Sequence, residues 1–96
     1  MHVSAWRGGS GTYGLRVGVK NRGAFFNRAW NEIELEIDGE IHRVGITAGF
    51  WKDCPEVRDP VIRTWLREHR TLEWPKGHPP KMELVPRGKN RFELLR

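Results

Sequence analysis

With 96 residues, 38% of them hydrophobic and five of them Trp, the chain has the length for one domain and the aromatic content for a core, which excludes a disordered tail and a second core. A single cysteine, Cys54, excludes an internal disulfide, and the formal net charge of +5 favours polyanionic partners. No apolar run follows a basic start and no stretch of about 18 apolar residues occurs, so the sequence predicts no signal peptide, no membrane span and a cytoplasmic location.

The charge is unevenly distributed. Residues 1–31 carry five bases (Arg7, Arg16, Lys20, Arg22, Arg28) and no acid, residues 32–40 carry five acids and no base, and residues 41–96 carry twelve bases against seven acids. Within the first segment, Trp6-Arg7-Gly8-Gly9-Ser10-Gly11 reads as a glycine-rich loop. Tyr13, Leu15, Val17 and Val19 then alternate with Gly14, Arg16, Gly18 and Lys20, which predicts a strand over residues 12–20 ending at Asn21-Arg22-Gly23. Two glycines between two cations on one face allow a neighbouring backbone or a ligand to come close. A helical turn over 24–30 would place Phe26 and Trp30 on one side.

Glu32-Ile33-Glu34-Leu35-Glu36-Ile37 alternates strictly and meets Asp38-Gly39, a pair suited to a type I′ hairpin turn. The register that follows sets Ile33 opposite Val44 and Glu34 opposite Arg43. Ile41 then has the wrong parity for the buried face, and a bulge near His42-Arg43 is the favoured resolution. Residues 49–55 read as a turn carrying aromatic side chains inward. A helix over 60–70 follows, with Asp59 as its cap, Pro60 at its first position and Val61, Ile62, Trp65 and Leu66 as its apolar stripe. Leu72 to Lys81, with three prolines, predicts an extended surface connection, and Met82, Leu84, Phe92 and Leu94 mark the buried face of a last hairpin. Leu84-Val85-Pro86-Arg87-Gly88 resembles a thrombin cleavage sequence, but periodic apolar residues continue beyond it, so it belongs to the fold. The expected fold is α+β: a small curved antiparallel sheet or open barrel with one main helix over about residues 60–70.

Gly9-Ser10-Gly11-Thr12-Tyr13-Gly14 spells the dinucleotide-binding G-x-G-x-x-G, but it opens a strand where that motif must open a helix, so only a weak anion site beside Arg7 remains. Cys54, His42, His69 and His78 show neither the spacing of a zinc site nor that of a thiol–imidazole pair, and no metal or cofactor is expected. Arg63, Arg67 and Arg70 recur at i, i+4 and i+7 as a cationic stripe on the main helix, with only Thr64 nearby to read base edges. Trp74, beside Pro75-Lys76, is the aromatic residue most available to stack on a ligand. Together Arg7, Arg16, Lys20, Arg63, Arg67, Arg70 and Trp74 predict a nonenzymatic module that contacts nucleic-acid backbones without strong sequence specificity. The alternative is a protein-interaction module in which Glu32, Glu34 and Glu36 meet a basic partner. A third reading, a small metal-dependent nuclease, would use the same carboxylates or His42.

Overall fold

Strands that alternate apolar and polar residues must have one face covered. In the computed structural model, which describes all 96 residues, seven such strands bend around one core. β1 (His2–Arg7), β2 (Tyr13–Arg16), β3 (Glu32–Ile37), β4 (Glu40–Gly45), β5 (Glu56–Arg58), β6 (Lys81–Pro86) and β7 (Arg91–Leu94) make a single sheet in the order β4-β3-β7-β6-β1-β2-β5. Its end strands, β4 and β5, approach each other, so the sheet is a nearly closed barrel with a seam. Two helices accompany it, α1 (Val19–Phe25) and α2 (Pro60–His69), of which α2 is the main one. This is the α+β architecture that the sequence predicts. One pairing departs from the antiparallel expectation, because β3 and β7 run parallel with Leu35 opposite Phe92. Each belongs to a different local hairpin, and the long connection between those hairpins leaves the relative direction free.

The β3–β4 hairpin forms in the predicted register, Ile33 opposite Val44 and Glu34 opposite Arg43, around Asp38 (φ 51) and Gly39 (φ 83). Its pairing is continuous from Glu32↔Gly45 to Ile37↔Glu40, which removes the expected bulge. Ile41 instead faces outward opposite Glu36 and is 41% exposed, because Val44 and His42 already fill the inner positions of β4. Met82, Leu84, Phe92 and Leu94 are all buried, as their alternation requires. In α2 the Asp59 carboxylate accepts from the Val61 N–H at 3.0 Å, and Ile62, Trp65 and Leu66 are buried against the sheet, while Val61 is half-buried.

Three stretches differ from their sequence reading. Trp6 and Arg7 belong to β1, and the glycine loop shrinks to a single 3₁₀ turn at Gly9–Gly11. The strand expected over 12–20 stops at Arg16: the Val17 and Gly18 N–H groups donate to Pro55 O, Gly18 adopts φ 85, and the chain turns into α1 with Val19 64% exposed. No helical turn runs through 24–30, because α1 ends at Phe25 and leaves Phe26 to Trp30 outside it. Phe26 and Trp30 nevertheless meet edge to face at 6.1 Å, and Phe26 also stacks on Phe92 (4.8 Å) and packs against Phe50 (5.0 Å). Phe50 arrives from the 3₁₀ turn Ala48–Trp51, the predicted inward aromatic turn.

On the outer face of β1, β2 and β5, Trp6, Gly14 and Arg58 stand in one cross-strand row. The row works because its middle member lacks a side chain. A Cβ on Gly14 would lie 2.2 Å from Val57 O, on the backbone of β5. Gly14→Ala should therefore push β5 away and destabilise the fold by about 1–3 kcal/mol, read as a fall in melting temperature of about 4–8 °C per kcal/mol. Gly45→Ala, where a Cβ meets nothing within 4 Å, is the control and should stay within about 0.5 kcal/mol of the parent.

The thrombin-like segment lies in β6 and the turn after it. Leu84 is fully buried, its N–H donates to Met1 O at 2.9 Å, and Arg87 is held by Glu93. A protease needs this segment extended and free, so cleavage after Arg87 should be negligible at 25 °C and should accelerate in step with unfolding as temperature approaches the melting midpoint. Rapid cleavage at 25 °C, followed by mass spectrometry, would contradict this packing.

Candidate nucleic-acid interface

Pairing of β1 with β2 sets Ser4 opposite Arg16 and Trp6 opposite Gly14, all on the outer face, while Val3, Ala5 and Leu15 fill the core. Along the other side of β1 runs the proline-rich connection, joined to it where the Ala5 N–H donates to Pro80 O at 2.8 Å. Between these flanks lie two adjoining concavities of about 720 and 310 Å³ that share Ser4 and Arg16. The larger is lined by Trp6, Arg7, Arg16, Trp74 and Lys76 among others, the smaller by His2, Arg16, Gly18 and Lys81, and neither has a carboxylate in its lining. None of Arg7, Arg16, Lys76 and Lys81 forms an ion pair within the protein.

Both tryptophans of the groove are half-buried and each has a guanidinium on it. The Arg7 Cζ lies 4.7 Å from the Trp74 ring centroid and the Arg58 Cζ lies 4.4 Å from that of Trp6. Arg58 also donates to Glu56 at 3.2 Å. Glu56 is opposite Arg16 in register, but it is buried and bonded to Arg58, so it does not open into the groove. Trp74 meets Tyr13 edge to face at 6.2 Å, and the Tyr13 hydroxyl donates to Leu72 O at 2.9 Å, anchoring the start of the connection. Arg63, at the first turn of α2, stands 5.8 Å from the Tyr13 ring. A contiguous series of rings and cations therefore runs Arg7, Trp74, Tyr13, Arg63.

Of the residues singled out from sequence, the fold brings Arg7, Arg16 and Trp74 to one concavity, while Arg63 lines a separate one and meets Trp74 only through the Tyr13 ring. Lys20 is exposed on α1, past Gly18, while Arg67 is exposed farther along α2 and Arg70 lies over the Trp65 ring at 5.4 Å. Trp6, Lys76 and Lys81 complete the groove, with Arg58 over the Trp6 ring, and none of the four was among the sequence candidates. The pairings of β1 with β6 and of β2 with both β1 and β5, together with the bond from Ala5 to Pro80 in the connection, make them neighbours.

The acidic row lies across the sheet from this groove, separated by β7 and β6. Glu32 is bonded to Arg43 at 2.6 Å and Glu34 to Arg91 at 3.0 Å, whereas Glu36 lies between Ile41 and Glu93 and has no ion pair. The hydrogen bond and charge of Glu32 raise the Arg43 pKa above its already high ordinary value. No three His, Cys, Asp or Glu side chains are arranged to hold a metal ion, although Asp38, Glu40, His42 and Glu68 line one concavity. His42 and His69 lie near Glu40 and Asp38, and Cys54 is half-buried beside Gly49. No helix is long and apolar enough to cross a membrane. No family profile, curated protein or solved structure matches this chain.

The Tyr13 hydroxyl bond predicts a local effect. Tyr13→Phe keeps the ring against Trp74 and Arg63 but leaves the Leu72 carbonyl without its donor, a loss of about 1 kcal/mol. Amide hydrogen exchange should quicken over residues 72–78 and stay unchanged in β3 and β7.

Proposed function

We propose that the protein is a small basic binding module for nucleic-acid backbones that recognises phosphate without strong sequence preference. The observation that carries this reading is the acid-free groove along β1, in which Arg7, Arg16, Lys76 and Lys81 face one channel with no carboxylate to neutralise them. Unpaired surface cations set side by side repel one another, and a polyanion relieves that repulsion while releasing its own counterions. The arginines of the opposite half of the barrel offer much less: Arg43, Arg87, Arg91 and Arg96 are each held by a carboxylate. For the same reason Glu32 and Glu34 are poorly placed to recruit a basic protein partner. Base-edge readout has little to work with, because the groove has Ser4 but no Asn or Gln in its lining.

Titration of a labelled oligonucleotide across a salt series tests the reading. Each phosphate contact adds roughly 0.7 to the log–log salt slope for a single strand and roughly 0.9 for a duplex. Changing Arg7, Arg16 and Lys76 together to Gln should flatten the slope by about two units, with the fold intact by circular dichroism. The triple change Arg63→Gln, Arg67→Gln, Arg70→Gln should flatten it by one unit or less, since none of the three lines the groove and Arg63 lies in a separate concavity with Asp59. Absence of binding near 50 mM salt, or an unaltered slope in the groove variant, would refute the proposal.

A further inference from the structure

The groove holds more than positive charge. Its wall contains two indoles, Trp6 and Trp74, and each already has an arginine seated against it. Each guanidinium covers one face of its indole, so a base would stack on the opposite face or take the arginine's place, and the guanidinium would then meet the phosphate. A duplex cannot use this pairing. Its bases are stacked on one another, only its backbone and groove edges are presented, and the faces of two half-buried rings inside a concavity meet no base face. A strand with free bases can enter. The floor from His2 to Arg7 extends about 17 Å at about 3.4 Å per residue, the length of about five stacked nucleotides at about 3.4 Å each.

The packing behind the rings explains how they keep this orientation. Trp6 lies in the row with Gly14 and Arg58, where the absence of a side chain on β2 lets the guanidinium of β5 reach the indole of β1. Its far edge abuts Gly8, where an added Cβ would be 2.6 Å from the ring. Trp74 is braced by Tyr13 at its edge and by Arg7. Neither ring is exposed enough to be a free surface residue, and neither is among the fully buried side chains of the core.

Resting on the backbone-binding reading, we infer that the ligand is single-stranded nucleic acid, with Trp6 and Trp74 as stacking platforms for unpaired bases. Three probes of equal charge separate this from simple attraction to phosphate: a twelve-nucleotide oligo(dT), a duplex carrying the same number of phosphates, and inorganic polyphosphate. The parent should bind oligo(dT) at least about tenfold more tightly than the other two at 150 mM salt. Trp74→Leu and Trp6→Leu should each weaken oligo(dT) binding about tenfold while leaving polyphosphate affinity and the salt slope unchanged. Retained polyphosphate binding in the same variant shows that the groove is folded. The parent comparison needs no substitution and stands even if a variant unfolds. Equal affinity for all three probes, or variants that bind oligo(dT) as the parent does, would overturn the stacking inference and leave the backbone reading intact. Failure of every probe to bind near 50 mM salt would remove both.

Discussion

The parallel pairing of β3 with β7 holds the barrel together. Without it the sheet would be two separate curved pieces, because β3 and β4 are hydrogen-bonded to the other strands only through this pairing. The joint is short and reinforced from several directions. The Glu34 N–H donates to Asn90 O, the Asn90 side chain donates to Glu32 O, and Arg91 bonds the Glu34 carboxylate. It also sets Leu35 against Phe92, whose ring stacks on Phe26, so the same register that joins the sheet seats the aromatic cluster. Displacing either strand by one residue would turn Leu35 or Phe92 to the solvent side. The pairing is therefore specified by burial as much as by hydrogen bonds.

What could be read from the sequence was local. Asp38-Gly39 and strict alternation define the β3–β4 register, and Asp59-Pro60 with its apolar stripe defines α2, because in each case the determining residues lie within one turn or one strand of one another. The remainder depended on distant partners. β1 has only Val3 and Ala5 as inward residues, β5 has three residues in all, and neither makes a periodic signal. Val17 and Val19 continue the alternation of β2 in sequence but not in space, since the Val17 N–H meets Pro55 and Gly18 turns the chain away. Ile41 shows the opposite case, an apolar residue left outside without any bulge. The candidate site divides the same way. Arg7, Arg16 and Trp74 could be named as cationic or aromatic surface residues, but their meeting with Trp6, Lys76 and Lys81 needed the long-range pairing of β1 and β6.

Topology also determines how charge is spread. Segments that alternate in sign along the chain are sorted by the sheet into two regions. The carboxylates of β3 are interleaved with arginines of β4 and β7, while the arginines and lysine of β1, β2 and the proline-rich connection have no ion pair, although His2 lies 3.5 Å from Glu83. A net charge of +5 thus understates the field over one side of the molecule and overstates it over the other. Such asymmetry orients an approaching polyanion before contact and weakens as ionic strength shortens the screening length.

The seam between β4 and β5 gives the barrel a built-in place to open. A sheet closed all the way round must break ladder hydrogen bonds on two sides to release any strand, whereas here β5 is attached along one side only, by three residue pairs to β2. Its inner residue, Val57, is buried, yet the strand is followed at once by the cap of α2 and preceded by the turn at Ala48–Trp51. Detachment of β5 would carry Arg58 away from Trp6 and loosen the first turn of α2 in the same event. An opening at the seam would therefore alter the wall of the β1 groove, although no residue of β4 lines it.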